Sequence, residues 1–151
     1  ASRNGHAECA RFLLEANANV NAIDDEGETA LQVAGHKGHA ECTRVLIEAG
    51  ADVNYRFHGE NGFTALTLCS FGGNVDCVRL LLAANADVNH PNAVGRTALV
   101  AASAMGHLDV VSLLLEAGAN ANNSEVGGVT VLMNANGYAE ITRLLLEAGA
   151  D

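Results

Sequence analysis

Short apolar runs alternate with polar, turn-forming stretches along the whole chain, and the clearest example lies between Gly95 and Asn122. Thr97 there precedes a run of mostly small side chains, ALVAASAM, which ends at Gly106. A threonine hydroxyl can accept a hydrogen bond from a free backbone N–H at the start of a helix, and glycine tolerates the left-handed conformation at its end. The pattern therefore predicts a short helix over residues 98–105.

A longer apolar run, LDVVSLLLEA, follows Gly106 and ends at Gly118. Asp109 lies in its first turn, where the helix dipole favours a negative charge. The spacing of the valines and leucines produces a broad apolar face, which predicts a second helix packed beside the first. That face is formed by Val110, Val111, Leu113, Leu114 and Leu115.

This two-helix unit recurs at a nearly constant period. Four short strings mark it, and the intervals between their threonines are 35, 33 and 33 residues. A period in this range indicates a stack of similar units, each of which buries its apolar face only against its neighbours. Such a stack presents an extended surface, and this favours a role in recognition over one in catalysis. The strings are Thr29-Ala30-Leu31, Thr64-Ala65-Leu66, Thr97-Ala98-Leu99 and Thr130-Val131-Leu132.

These residues, taken with the period, resemble the ankyrin repeat. The strings GHAE (38–41) and GHLD (106–109) match the family's turn between helices, and VLIEAGADVN (45–54), LLLEAGAN (113–120) and LLLEAGAD (144–151) match the end of its second helix. The resemblance covers the whole chain and implies an all-α ankyrin-repeat solenoid of stacked helix-turn-helix units with hairpin loops. We count about five units in one domain over 1–151, at 1–22 (partial), 23–55, 56–90, 91–123 and 124–151. Neither end has the polar face of a capping repeat, so we expect a fragment of a longer array.

The chain departs from the family pattern at two positions of the Thr-Pro-Leu-His signature. Ala or Val stands in place of the proline in every unit, and the histidine is replaced throughout. The resemblance implies that this histidine forms hydrogen bonds within and between turns. Its loss predicts a less stable array and leaves the replacing residues available for recognition. They are Gln32, Thr67, Val100 and Met133.

The last unit is shorter than the others. Thr130 and Gly137 are seven residues apart, whereas the matching interval is nine residues in the other three units. A loss of two residues turns a helix by about 200°, which would move Ala135 and Asn136 out of phase. Either this helix is distorted or two residues are absent from the sequence; we favour the second interpretation.

The net charge of −10 belongs mostly to the scaffold, because most of the 18 acidic residues recur at fixed positions of the unit. The acidity argues against a nucleic-acid partner. The sequence has no apolar run long enough to cross a membrane and no secretory leader, so we expect no membrane insertion.

The four cysteines are predicted to be reduced thiols in the core. Cys9, Cys42 and Cys77 occupy one position of successive units, and stacked helices lie roughly 8–10 Å apart, beyond the ~7 Å that a disulfide tolerates. Cys69 stands at a small-residue position shared with Ala34. Reduced thiols indicate a reducing compartment, so we expect an intracellular, cytoplasmic protein, with the nucleus as a further possibility.

No motif in the sequence indicates an enzyme, a cofactor or a metal site. The recurring His-x-acid pairs, such as His107 and Asp109, place their side chains on different sides of a helix, and no phosphate loop, nucleophile elbow or paired-cysteine zinc motif is present. We therefore expect no catalytic residue, no bound metal or cofactor and no small-molecule substrate. The family resemblance implies a structural role for the loop asparagines, although some family members are hydroxylated there. These are Asn21, Asn54, Asn89 and Asn122.

The resemblance places partner binding in a concave groove formed by the tips of the hairpin loops and the exposed face of the first helices. Carried over to this chain, the tips are 24–28, 56–63, 91–96 and 124–129. Four of the six aromatic residues lie between Tyr55 and Phe71, in the unit with the longer, 35-residue interval. Aromatic and arginine side chains dominate binding hot spots. One or two of these rings could instead pack beneath the loop, and the acidic tip at 24–28 could be a solvated turn or could pair with basic groups.

We therefore predict a non-enzymatic module that binds a protein partner of unknown identity in its concave groove. Two alternatives remain: a regulatory or targeting segment of a larger enzyme or channel, and a structural subunit of a large assembly. The candidate partner-binding residues are Asp24, Asp25, Glu26, Glu28, His36, Lys37, Tyr55, Arg56, Phe57, His58, Phe63, Phe71, Arg96 and Met105.

Overall fold

The structure is a computed structural model that describes residues 1–56 and 62–151. Over these residues the chain is helical and forms no β-sheet, which confirms the all-α solenoid. Phe57 and His58 lie outside the described residues. A 3-10 turn at Ser2–Asn4 is followed by α1 (Ala7–Glu15), α2 (Ala30–His36), α3 (Ala40–Glu48), α4 (Ala65–Phe71), α5 (Val75–Ala83), α6 (Ala98–Met105), α7 (Leu108–Glu116), α8 (Val131–Asn134) and α9 (Ala139–Glu147).

Each two-helix unit begins at a threonine cap and turns at a glycine. The Thr97 hydroxyl accepts a hydrogen bond from the backbone N–H of Val100 at 3.4 Å, as predicted, and Thr29, Thr64 and Thr130 cap their helices in the same way. α6 ends at Gly106, whose φ is +77°. A β-carbon at Gly106 would overlap the ring of Tyr138 in the next unit, so the tight turn requires glycine for conformation and for space.

The helices form two layers of different spacing. The first helices of successive units (α2, α4, α6, α8) contact one another more extensively than the second helices do (α3, α5, α7, α9). The closer layer must be the inner side of a curved stack, so the first helices and the hairpin tips form its concave face.

The core between the layers is built from aliphatic side chains. Leu31, Leu66 and Leu99 are almost completely buried at one position of the first helices. Leu81 and Leu114 are equally buried in the second helices. Each buried leucine contributes about 1.5–3 kcal/mol of transfer free energy, which explains how the stack is held together with few aromatic residues.

Three of the four cysteines confirm the prediction of core thiols, and one contradicts it. Cys42, Cys69 and Cys77 are buried and free, whereas Cys9 is free but exposed. The reason is local: α2 packs against α3 and covers the side of it that carries Cys42, whereas only the single turn at 2–4 precedes α1. Leu13, on the same helix as Cys9, is likewise exposed.

The shortened last unit keeps its register. α8 has only four residues, yet Ala135 is fully buried at the position that Ala34, Cys69 and Ala102 occupy in the other units. The prediction that Ala135 moves out of phase is therefore wrong. The shortening falls after Ala135, at the carboxyl end of the helix: Asn136 is exposed, as predicted, whereas Gly35, Ser70 and Ser103 are buried at that position of the other units.

Three of the four residues at the position of the signature histidine are buried, so the prediction that they are available for recognition is wrong for these three. Gln32, Thr67 and Val100 are at most 2% exposed, whereas Met133 is exposed. Gln32 completes a capping box with Thr29, and its side-chain amide donates to the carbonyl of Phe63 in the next unit at 2.8 Å. This amide thus forms the within-turn and between-turn bonds that the histidine would supply.

The loop asparagines form a ladder of hydrogen bonds between successive units, which confirms their structural role. Each side-chain oxygen accepts the backbone N–H of a residue in the following loop. The bonds run from Asp52 to Asn21 at 2.8 Å, from Asp87 to Asn54 at 2.8 Å, from Asn120 to Asn89 at 2.7 Å and from Asp151 to Asn122 at 3.0 Å. Among the described residues, no helix is both long and apolar enough to cross a membrane.

Candidate partner-binding site

One cavity on the concave face brings together four of the candidate residues. His36 of the second unit, Phe63 and Phe71 of the third and Arg96 of the fourth line a cavity of about 170 Å³. Thr67, Leu68 and Ala101 complete the lining. The cavity thus lies between three successive units, close to the middle of the described stack.

Equivalent positions of the repeating unit form the walls of this cavity. Phe63 and Arg96 both precede a capping threonine, whereas His36 and Phe71 both stand at the last position of a first helix. Leu68 and Ala101 share a position of α4 and α6. Because the fourth unit has only a methyl group where the third has leucine, a hollow remains beside the two phenylalanines. Sequence reasoning missed Leu68 and Ala101, although the small residue at position 101 was a usable signal.

The aromatic residues at and after the end of the second unit play different parts. Phe71 is 42% exposed and Phe63 is half-buried, so both rings present surface to the groove. The hydroxyl of Tyr55 donates to the carbonyl of Gly27 at 3.5 Å and so links two neighbouring hairpins. Tyr55 therefore has a structural role in joining hairpins, whereas Phe63 and Phe71 remain candidates for partner binding.

Arg96 is fixed in place by a carboxylate from the next unit. Its guanidinium donates to both carboxylate oxygens of Glu125, at 2.8 and 3.3 Å. The hairpin of Glu125 is also joined to that of Arg96 by a hydrogen bond from the N–H of Val126 to the carbonyl of Val94 at 2.8 Å. Two-point pairing of this kind defines the guanidinium's orientation, so Arg96 is a rigid part of the cavity wall.

Several polar groups near the groove lack a partner in the described part of the chain. The Nδ1 atom of His36 is buried and makes no hydrogen bond there. Lys37 and Arg56 are exposed, and neither forms a salt bridge with a described residue. Met105, at the end of α6, is an exposed apolar side chain. These candidate residues therefore offer apolar surface and positive charge that no carboxylate among the described residues neutralises.

The acidic tip at 24–28 is organised mainly as a turn. A carboxylate oxygen of Asp24 accepts the backbone N–H groups of Glu26 and Glu28, both at 3.0 Å, while Asp25 is exposed. The guanidinium of Arg3 lies 3.5 Å from the carboxylates of Asp24 and Glu26. The carboxylates of Asp24, Glu26 and Glu28 come within 4.8 Å of one another, a spacing that could hold a cation. Arg3 already supplies positive charge there.

The outer layer carries a network of exposed ion pairs. Glu41 of α3 contacts Arg11 of α1 at 2.8 Å and Arg44 of its own helix at 2.6 Å, and Arg44 reaches Glu48 at 2.6 Å. The hydrogen bonds from Arg44 and then Arg11 lower the pKa of the Glu41 carboxyl. These acids are paired with the scaffold itself, which supports the assignment of the negative charge to the repeat.

Two buried thiols of the third unit, Cys69 and Cys77, shift each other's pKa in opposite directions. Donation from Cys69 lowers the pKa of the Cys77 thiol to about 7, and Thr43, whose hydroxyl lies 3.5 Å from the Cys77 sulfur, contributes in the same direction. The pKa of Cys69 is raised, first by this hydrogen bond and then by burial. Both thiols are almost completely buried, so the pair lies beneath the groove and not in it.

Comparison with known families agrees with the geometry. A family model described as ankyrin repeats in three copies matches residues 1–92 and again residues 86–151. A comparison with curated proteins finds no match. Ankyrin repeats are general protein-protein interaction modules and are typically non-catalytic. The two matches together span the whole sequence, and the chain therefore belongs to the ankyrin-repeat family.

Proposed function

We propose that this protein is a non-enzymatic module whose concave face binds one protein partner, centred on the second to fourth units. The observation that carries the proposal is the convergence of His36, Phe63, Phe71 and Arg96 on one cavity in that face. These residues come from three different units, and the cavity opens where aromatic and cationic side chains are concentrated. Aromatic and arginine side chains at the centre of a surface are typical of binding hot spots.

The rest of the surface supports this placement. The outer layer carries exposed acids paired to arginines of the scaffold, such as Glu41 with Arg44, and exposed pairs of this kind contribute little binding energy. The predicted groove residues Arg56, Lys37 and Met105 are instead exposed, and the arginine and the lysine form no salt bridge with a described residue. As part of the same proposal the protein acts inside the cell, in the cytoplasm or the nucleus, which the buried free thiols support.

The test is to capture partners from the native source, identify them by mass spectrometry and measure their affinity for variants. Arg56→Ala and Met105→Ala lie on the concave face outside the cavity, so each is expected to weaken binding by about 1–2 kcal/mol. Arg79→Ala, on the outer helix α5, is the matched control and should leave the affinity unchanged. Equal losses for all three, or no loss at Arg56 and Met105, would contradict the placement.

A second candidate function is favoured by the ends of the stack. Phe12 is 66% exposed at one end, and Met133 and Leu146 are exposed at the other. Exposed apolar faces of this kind suit a segment held within a longer array or a permanent assembly. Sedimentation of the isolated chain tests this candidate: concentration-dependent association through the ends supports it, and a monomer at high concentration argues for a free-standing module.

A further inference from the structure

We infer that the concave cavity receives a single apolar side chain of the partner, of leucine to phenylalanine size, with a carboxylate beside it. This inference rests on the proposed function and adds the chemistry of the partner segment. The occupant is thus a short acidic-apolar stretch of polypeptide, with its apolar anchor seated between Phe63 and Phe71.

The size of the cavity fits one side chain. Its volume of about 170 Å³ is close to the roughly 150 Å³ of an apolar protein cavity that admits benzene. The hollow exists because Ala101 stands where Leu68 stands in the preceding unit. A leucine, methionine or phenylalanine side chain would occupy this space, whereas two side chains would not fit.

The walls are chemically suited to an apolar anchor. Phe63, Phe71, Leu68 and Ala101 present rings and methyl groups. Among the described lining residues, the only permanent charge is that of Arg96, which is already neutralised by Glu125 through two hydrogen bonds. A charged anchor would therefore lose its hydration without gaining a counter-ion, so the cavity selects against it.

The charge of Lys37 indicates that the partner residue beside the anchor is acidic. Lys37 directly follows the cavity residue His36, is exposed and has no salt-bridge partner among the described residues. The buried Nδ1 atom of His36 also lacks a hydrogen-bond partner there. A carboxylate on this side of the anchor would meet the positive charge of Lys37 in a protein whose net charge is −10.

The experiment uses a displayed library of random peptides selected on the whole protein, followed by affinity measurements on the enriched peptides. Ala101→Leu fills the cavity, and the scaffold accepts leucine there because Leu68 has the same position in α4. The matched control is Val33→Leu, which places leucine at the same position of α2, away from this cavity. Phe71→Ala removes one wall of the cavity, and because Phe71 is exposed the variant should fold normally. Lys37→Glu reverses the neighbouring charge.

The expected result is that enriched peptides share one large apolar residue flanked by Asp or Glu. They should lose about tenfold or more in affinity for Ala101→Leu and Phe71→Ala, because the burial of one such side chain is lost. Val33→Leu should bind as the parent protein does, and Lys37→Glu should remove the preference for the acidic residue.

Two results would overturn the inference, and they differ in what they say of the proposed function. Peptides that depend on Arg56 and Met105 but bind Ala101→Leu normally would refute the cavity anchor and leave the concave groove as the binding face. Failure to enrich any peptide that depends on the concave face would contradict both proposals.

Discussion

Replacement of Arg96 by alanine should lower the free energy of unfolding by about 1–2 kcal/mol. A hydrogen bond to a charged group contributes about 1.5–3 kcal/mol when it is well buried. The side chain of Glu125 is only 13% exposed and that of Arg96 is 33% exposed, so solvent screens the pair in part and reduces the expected loss to about 1–2 kcal/mol. Truncation of Arg96 leaves the carboxylate of Glu125 largely buried without its counter-ion.

The assay is urea unfolding of Arg96→Ala, Glu125→Ala and the double variant, followed by circular dichroism. The double-mutant cycle should give a favourable coupling energy of about 1 kcal/mol, since the two residues are in direct contact. Arg143→Ala is the matched control, because Arg143 forms an ion pair with Glu140 in which both side chains are more than 60% exposed. That control should change stability little.

An equal effect of Arg96→Ala and Arg143→Ala would refute the reasoning, because it would mean that the burial of Glu125 has no energetic consequence. A coupling energy of zero would refute it more directly. Either result would also remove the argument that Arg96 is a rigid part of the cavity wall.

Two further predictions concern the scaffold. Asn89→Ala should destabilise the fold by about 0.5–1 kcal/mol more than Asn54→Ala in urea unfolding. Asn89 both accepts from the next loop and donates to it, whereas Asn54 only accepts among the residues that the structure describes; equal losses would contradict this ladder. The ultraviolet absorbance of the Cys77 thiolate should titrate near pH 7, and Cys69→Ala should raise that midpoint by removing the hydrogen-bond donor; an unchanged midpoint would contradict the pairing. Since the pKa of Cys77 is below its ordinary value of 9.0, its stabilising contribution is present above pH 9 and is lost as the pH falls through about 7.

Local patterns were sufficient for most of the fold. The threonine caps, the glycine at the end of α6 and the apolar face of α7 follow from interactions within a few residues, and each is found where the sequence predicts it. The burial of Cys42 and Cys77 followed from their repeated position. Cys9 shares that position but is exposed, because burial depends on the helix that packs against it and not on the residue itself.

The candidate site could be predicted only in part. The concentration of aromatic residues near Phe63 and Phe71 was visible in the sequence, as was the basic character of Arg96. The contribution of Ala101 was not, because a hollow is a property of the side chains around it. The opposite error occurred at Gln32. The sequence predicted that it was available for recognition, but its side chain is buried and forms a hydrogen bond to the next unit.

The sequence by itself determined the period, the helices, their caps and the family, since these depend on spacing and on short-range hydrogen bonds. The tertiary structure alone decided which residues meet across units. His36 and Arg96 are sixty residues apart in the chain, yet both line one cavity because stacking brings equivalent positions of successive units side by side. The space that they share depends on the volume of the residues between them, above all the methyl group of Ala101, and no periodicity in one unit specifies that volume.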